Sequence, residues 1–172
     1  MRIYLIGYMG SGKSTVGTGL AKALNLDFID LDHYIESRNH RTIPDIFARD
    51  GEAEFRRLEQ KALHEVSEFE NIVIATGGGA PCFFDNMEVI KRTGKSLYLN
   101  GSPRILADRL MHSKTERPLI KGKTEPELVA FIAETLAKRS EWYTQAESIL
   151  NFDHDVSTAE VLAALGLQTS KE

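Results

Sequence analysis

Five short runs of aliphatic, β-branched and aromatic residues punctuate the chain: RIYLI (2–6), DFIDL (27–31), NIVIA (71–75), KSLYL (95–99) and SILNF (148–152). Each has the length of a strand, and longer helix-patterned segments separate most of them. Such alternation predicts an α/β fold, a parallel sheet covered by helices. Helix starts are marked by Ser102-Pro103 and by the capping-box spacings Thr124/Glu127 and Ser157/Glu160.

Two long amphipathic segments place charge where apolar residues belong. Over 51–69, Phe55, Leu58, Ala62, Val66 and Phe69 recur at 3-4-4-3 spacing, a core-facing stripe. At about 100° per residue from Phe55, Glu59 falls near ~40°, Arg56 near ~100° at the edge of the stripe, and Arg57 near ~200° in solvent. Arg56 precedes Glu59 by one helical turn, so two readings stand: a structural ion pair, or a guanidinium held ready for an anion. Over 124–143, Arg139 projects within the arc of Leu128, Ile132, Leu136 and Tyr143, whereas Lys138 points away. An arginine there either snorkels out or meets a carboxylate.

Composition narrows the partners. The net charge of -4 argues against a general nucleic-acid binder, whose affinity needs basic surfaces. A lone Cys82 excludes an internal disulfide and fits a reducing compartment. No leader-like start and no apolar run of about 20 residues appears, so a cytoplasmic protein with no membrane contact is expected. With 172 residues, one domain over 1–172 is expected.

The stretch GYMGSGKST (7–15) sits between the first strand and a helix running KSTVGTGLAKALN. Gly7, Gly12, Lys13 and Ser14 have Walker A spacing. Glycines there turn inward-pointing N–H groups onto a phosphate, Lys13 would bridge the β- and γ-phosphates, and Ser14 offers a hydroxyl to Mg²⁺. No Asn-Lys-x-Asp element for guanine is present.

Asp30 and Asp32 stand where the second strand runs out. If the chain stays extended, both point to one face beyond the sheet's carboxyl edge. Asp30 could then hold the Mg²⁺ shell and Asp32 accept a proton from an attacking hydroxyl; Asp32 as an N-cap of the next helix is compatible with that. Gly77, Gly78 and Gly79 end the third strand and permit close approach to a ligand. Segment 112–124 carries Lys114, Arg117, Lys121 and Lys123 with helix-breaking Pro118 and Gly122. It reads either as a mobile basic flap or as a solvated surface loop.

These motifs, in this order, resemble the shikimate kinases: GYMGSGKST, DLD at 30–32, DIFARDGEAEFRRLE at 45–59, TGGGA at 76–80, RPLI at 117–120 and KRSEWY at 138–143. The resemblance implies a three-layer P-loop fold of the nucleoside-monophosphate-kinase type, its five-stranded parallel sheet ordered 2-3-1-4-5. It implies a substrate-binding region at about 32–60 and a lid at about 111–124. The reaction implied moves the γ-phosphoryl group of ATP to the 3-hydroxyl of shikimate, with Mg²⁺, in the chorismate pathway, by a monomer. ATP would meet Gly10, Ser11, Gly12, Lys13, Ser14, Thr15 and Arg117, and the metal Ser14 and Asp30. Shikimate would meet Asp32, Arg56, Gly77, Gly78, Gly79 and Arg139, with Asp32, Lys13 and Arg117 catalytic. APCFF (80–84) departs from the small aliphatics of many relatives, and a hydrophobic plug under the substrate is expected of Pro81, Phe83 and Phe84. Near 153–155 only His154 is available for adenine, with Arg109 the weaker alternative. Competing readings are a kinase for another hydroxy acid such as gluconate, a non-catalytic nucleotide-binding scaffold, and a nucleic-acid enzyme.

Overall fold

The structure, a computed structural model, describes residues 1–114, 117 and 120–169. Thr115, Glu116, Pro118 and Leu119, which belong to the expected lid and its RPLI motif, lie outside the described residues.

Strands β1 (Arg2–Ile6), β2 (Asp27–Asp30), β3 (Ile72–Ala75), β4 (Lys95–Gly101) and β5 (Ser148–Phe152) form one parallel sheet. The order is β2-β3-β1-β4-β5, as the resemblance implied. Alternation along β1 divides the core. Tyr4 and Ile6 join Ile72, Ile74 and Tyr98 in a cluster shared with α2 (Leu31–Asn39), α3 (Ile43–Val66) and α4 (Asn86–Thr93). Ile3 and Leu5 join Val73, Leu97 and Leu99 in another, shared with α1 (Lys13–Leu24) and α7 (Thr158–Leu165). The result is helix, sheet, helix. A third cluster packs Tyr8 against α5 (Pro103–Met111) and α6 (Glu125–Tyr143) and carries the phosphate loop's back side.

The caps follow the sequence, with one refinement. Ser102, Thr124 and Ser157 each accept a backbone N–H of the first turn. Ser157 and Glu160 form the full reciprocal box, whereas the Glu127 side chain bonds the Thr124 hydroxyl instead of its backbone.

Two expectations are corrected. The helix predicted over 51–69 begins earlier and ends at Val66, so Phe69 falls outside it and is partly exposed. Gly51, at φ 84 and ψ 172, breaks α3 into two helical pieces. The second strand stops at Asp30, because Asp30 itself caps α2 by accepting from His33 N. The chain therefore does not stay extended through Asp32, which sits in the first turn of α2 and is not its cap.

Candidate active site

Gly7 to Thr15 links β1 to the start of α1 at the carboxyl edge of the sheet. Gly12, at φ 89, is the N-cap, so the chain turns directly into the helix with no side chain over its positive end. Lys13 folds back on this loop, Nζ donating to the carbonyls of Gly7 at 2.6 Å and Tyr8 at 3.0 Å. Burial pushes its pKa down to about 8, and Arg139 and Arg117 add to the shift while Asp32 and Asp30 oppose it. Among the described residues the buried Ser11 hydroxyl in the same loop has no hydrogen-bond partner, and neither has the buried Nε of Arg117. An incoming polyanion would supply what these donors lack.

Beside the loop, Ser14 Oγ donates to Asp30 Oδ2 at 2.6 Å, uniting the Walker serine with the end of β2. Asp30 thus caps α2 with one oxygen and meets Ser14 with the other. Among the described residues no group of three or more His, Cys, Asp or Glu could hold a metal ion. A hydroxyl and one carboxylate are instead the donor set that suits Mg²⁺, which keeps waters and takes phosphate oxygens for the rest of its shell. Asp32, in the first turn of α2, has its pKa raised by burial and by the charge of Asp30, with Lys13 pulling the other way.

Each glycine of the triplet faces a different charged group. A Cβ on Gly77 would stand 2.9 Å from Asp32 Oδ1 and 3.1 Å from Glu59 Oε2. One on Gly78 would stand 3.2 Å from Arg139 Nη1, and one on Gly79 2.7 Å from Arg56 Nη2. The missing side chains are the space in which these groups converge. Arg56 donates to Glu59 at 2.9 Å and to Glu52 at 3.4 Å, confirming the turn-spaced pair. Glu59 is 1% exposed, and its burial pushes its pKa up to about 7 despite the pull of Arg56. Arg57, as the helical wheel required, lies in solvent and pairs with Glu54.

Arg139 does not snorkel out. Its Nη1 donates to the Tyr143 hydroxyl at 3.1 Å, which itself donates to the Gly78 carbonyl, and its guanidinium lies 5.5 Å from the Tyr8 ring centroid. The expected plug at 80–84 is corrected. Pro81 is buried in a 3-10 turn, but the Phe83 ring lies 4.1 Å from the Arg56 guanidinium carbon, and Phe84 is 63% exposed. Arg109 donates to the Gly10 carbonyl and to Asp155 and lies 5.2 Å from the Phe152 ring, whereas His154 is taken up by Glu160 and Asp153. The sequence reading missed the contacts of Phe83, Glu52 and Tyr143. Tyr143 and Glu52 had each left a signal, standing four residues from Arg139 and Arg56 respectively, whereas Phe83 had left none.

A parallel sheet in this order, with a Walker loop at the head of its first helix and a serine–aspartate pair beside it, defines a P-loop kinase. The sequence model described as shikimate kinase matches residues 9–168. A curated shikimate kinase of Bacteroides thetaiotaomicron is 55% identical over 153 residues, covering 89% of this chain and 87% of that protein. A crystal structure of shikimate kinase from the same organism superposes with a TM-score of 0.88 at 51% identity, covering 96% of this chain and 94% of that one. A shikimate kinase from Acinetobacter baumannii in complex with shikimate superposes with a TM-score of 0.80 at 34% identity, over 94% and 88% of the two chains. The chain belongs to the shikimate kinase family.

Proposed function

We propose that the chain transfers the γ-phosphoryl group of ATP to the 3-hydroxyl of shikimate, giving shikimate 3-phosphate and ADP. The observation that carries this is the convergence of Arg56 and Arg139 on consecutive glycines, with Asp32 beside the first of the triplet. Two guanidinium groups suit one carboxylate, and a carboxylate such as Asp32 suits ring hydroxyls. An acid-bearing polyol satisfies both.

In this reading Asp32 orients the acceptor hydroxyl and takes its proton as the new O–P bond forms and the bond from Pγ to the β,γ-bridging oxygen breaks. Its raised pKa makes it a better base than an ordinary carboxylate. Lys13 leaves its carbonyls for the β- and γ-phosphates, and Arg117 meets the charge that builds on the transferred group. Gly10, Ser11, Gly12 and Thr15 complete the ATP cradle with backbone N–H groups. Ser14 and Asp30 would hold Mg²⁺, which when bound neutralises phosphate charge.

Region 32–60 would cover the substrate and 111–124 would close over it within a single domain. In this reading the protein works as a monomer in the cytoplasm, without membrane partners, and its net charge of -4 supports a small-molecule kinase over a nucleic-acid enzyme. Among the described residues no helix is long and apolar enough to cross a membrane.

The test is an ADP-release assay with shikimate, quinate and gluconate side by side. We expect kcat/KM for shikimate to exceed the others by orders of magnitude. Comparable turnover of gluconate, or none with shikimate, would overturn the assignment.

A further inference from the structure

We propose that Tyr143 is a positioning residue: its hydroxyl fixes the reach and direction of the Arg139 guanidinium, and with it the preference for an acceptor that carries an acid. This rests on the reading of Arg139 as a carboxylate ligand.

Tyr143 closes α6 and is fully buried, with its ring 4.9 Å from that of Tyr98. Its oxygen is therefore a fixed point. A phenol has one proton and lone pairs to spare. The proton goes to the Gly78 carbonyl, which leaves the oxygen to accept from Arg139 Nη1 at 3.1 Å. Burial pushes the Tyr143 pKa well up, so this division of roles does not change with pH in the working range.

The contrast with Arg56 shows what the phenol achieves. Arg56 is held by the carboxylates of Glu52 and Glu59, which orient it and also offset its charge. Among the described residues Arg139 has no carboxylate partner, and the hydroxyl of Tyr143 orients it without neutralising it. With Glu59 felt only at a distance, the guanidinium keeps an attraction for an anion and most of its five N–H donors free. The same hydroxyl ties α6 to the glycine triplet, so the distance from Arg139 to the groups around Gly77 and Gly79 is set by two hydrogen bonds that share one oxygen.

The experiment compares shikimate with its neutral carboxamide as acceptors for the wild-type protein, Tyr143→Phe, Arg139→Ala and the double variant. We expect Tyr143→Phe to raise KM for shikimate by about tenfold, the size of a lost hydrogen bond to a charged group. KM for the amide, KM for ATP and kcat should stay within about twofold. In the Arg139→Ala background the same change should have no further effect on KM for shikimate. Equal losses with acid and amide, or an unchanged KM for shikimate, would overturn the proposal. If Arg139→Ala leaves the acid-over-amide preference intact, the reading of the site has failed. If Arg139→Ala abolishes it and Tyr143→Phe leaves it, only the positioning role has failed. Should Tyr143→Phe not fold, 2-fluorotyrosine at 143 keeps the ring and weakens the oxygen as an acceptor, with the same two outcomes read from KM for the acid and the amide.

Discussion

The guanidinium carbon of Arg56 lies 4.1 Å from the ring centroid of Phe83, the residue for which the sequence suggested only a plug. Arg56 is thereby held between an aromatic wall, two carboxylates and the bare backbone of Gly79. A cation over a half-buried ring is worth about 1 kcal/mol. Phe83→Ala should therefore raise KM for shikimate by about fivefold, with kcat and KM for ATP little changed. An unchanged KM would show that the two carboxylates hold Arg56 unaided.

Gly79 tests the same geometry from the backbone side. At φ -87 and ψ -12 its conformation suits any residue, so alanine there strains nothing locally. Its Cβ, however, would stand 2.8 Å from Arg56 Nη1 and 3.0 Å from Cζ, forcing the guanidinium aside. We expect Gly79→Ala to melt within a few degrees of wild type while losing at least about tenfold in shikimate affinity by calorimetry. A protein that unfolds instead would place the glycine's role in folding.

The contrast between these two positions shows what a sequence can carry. Strand runs and caps were legible because alternation and helical period are local, whereas the sheet order, which is not local, came only with the family resemblance. The wheel separated Arg56 from Arg57 and turned Arg139 inward for the same reason. The extended chain expected between Asp30 and Asp32 was misread because a strand and the first turn of a helix differ by one capping hydrogen bond, from His33 N to Asp30, that residue type alone does not reveal. Phe83 was unreadable because its partner lies 27 residues earlier (83 − 56) on another element. Only the fold brings the ring to the arginine.

Adjacent arginines on one helix offer an internal control. Arg57 is 59% exposed in its side chain and pairs with Glu54, while Arg56 is 14% exposed and faces the triplet. Arg57→Ala should leave KM for shikimate and the melting temperature within error, because exposed pairs contribute little. Arg56→Ala should raise that KM by about 100-fold, as expected when a charge-assisted pair is lost from a desolvated site. Similar losses in both variants would contradict the facing geometry.

Lys13 should make nucleotide binding depend on protons. In the free protein burial holds its pKa at about 8, against an ordinary 10.5. Between those values the folded chain binds fewer protons than the unfolded one. Lys13 thus weakens the fold below about pH 8, and stability recovers as pH rises towards 10.5. Phosphates reverse the shift, because an adjacent polyanion favours the charged ammonium. At pH 8, binding of ATP should take up about half a proton through Lys13, and at pH 6 close to none, since the group is already charged. Calorimetry in buffers of different ionisation enthalpy reads this directly. Lys13→Arg, whose guanidinium does not titrate, should abolish the uptake and so separate it from protons exchanged by the nucleotide itself. Uptake that persists in that variant would mean that Lys13 already carries its full charge before the nucleotide arrives.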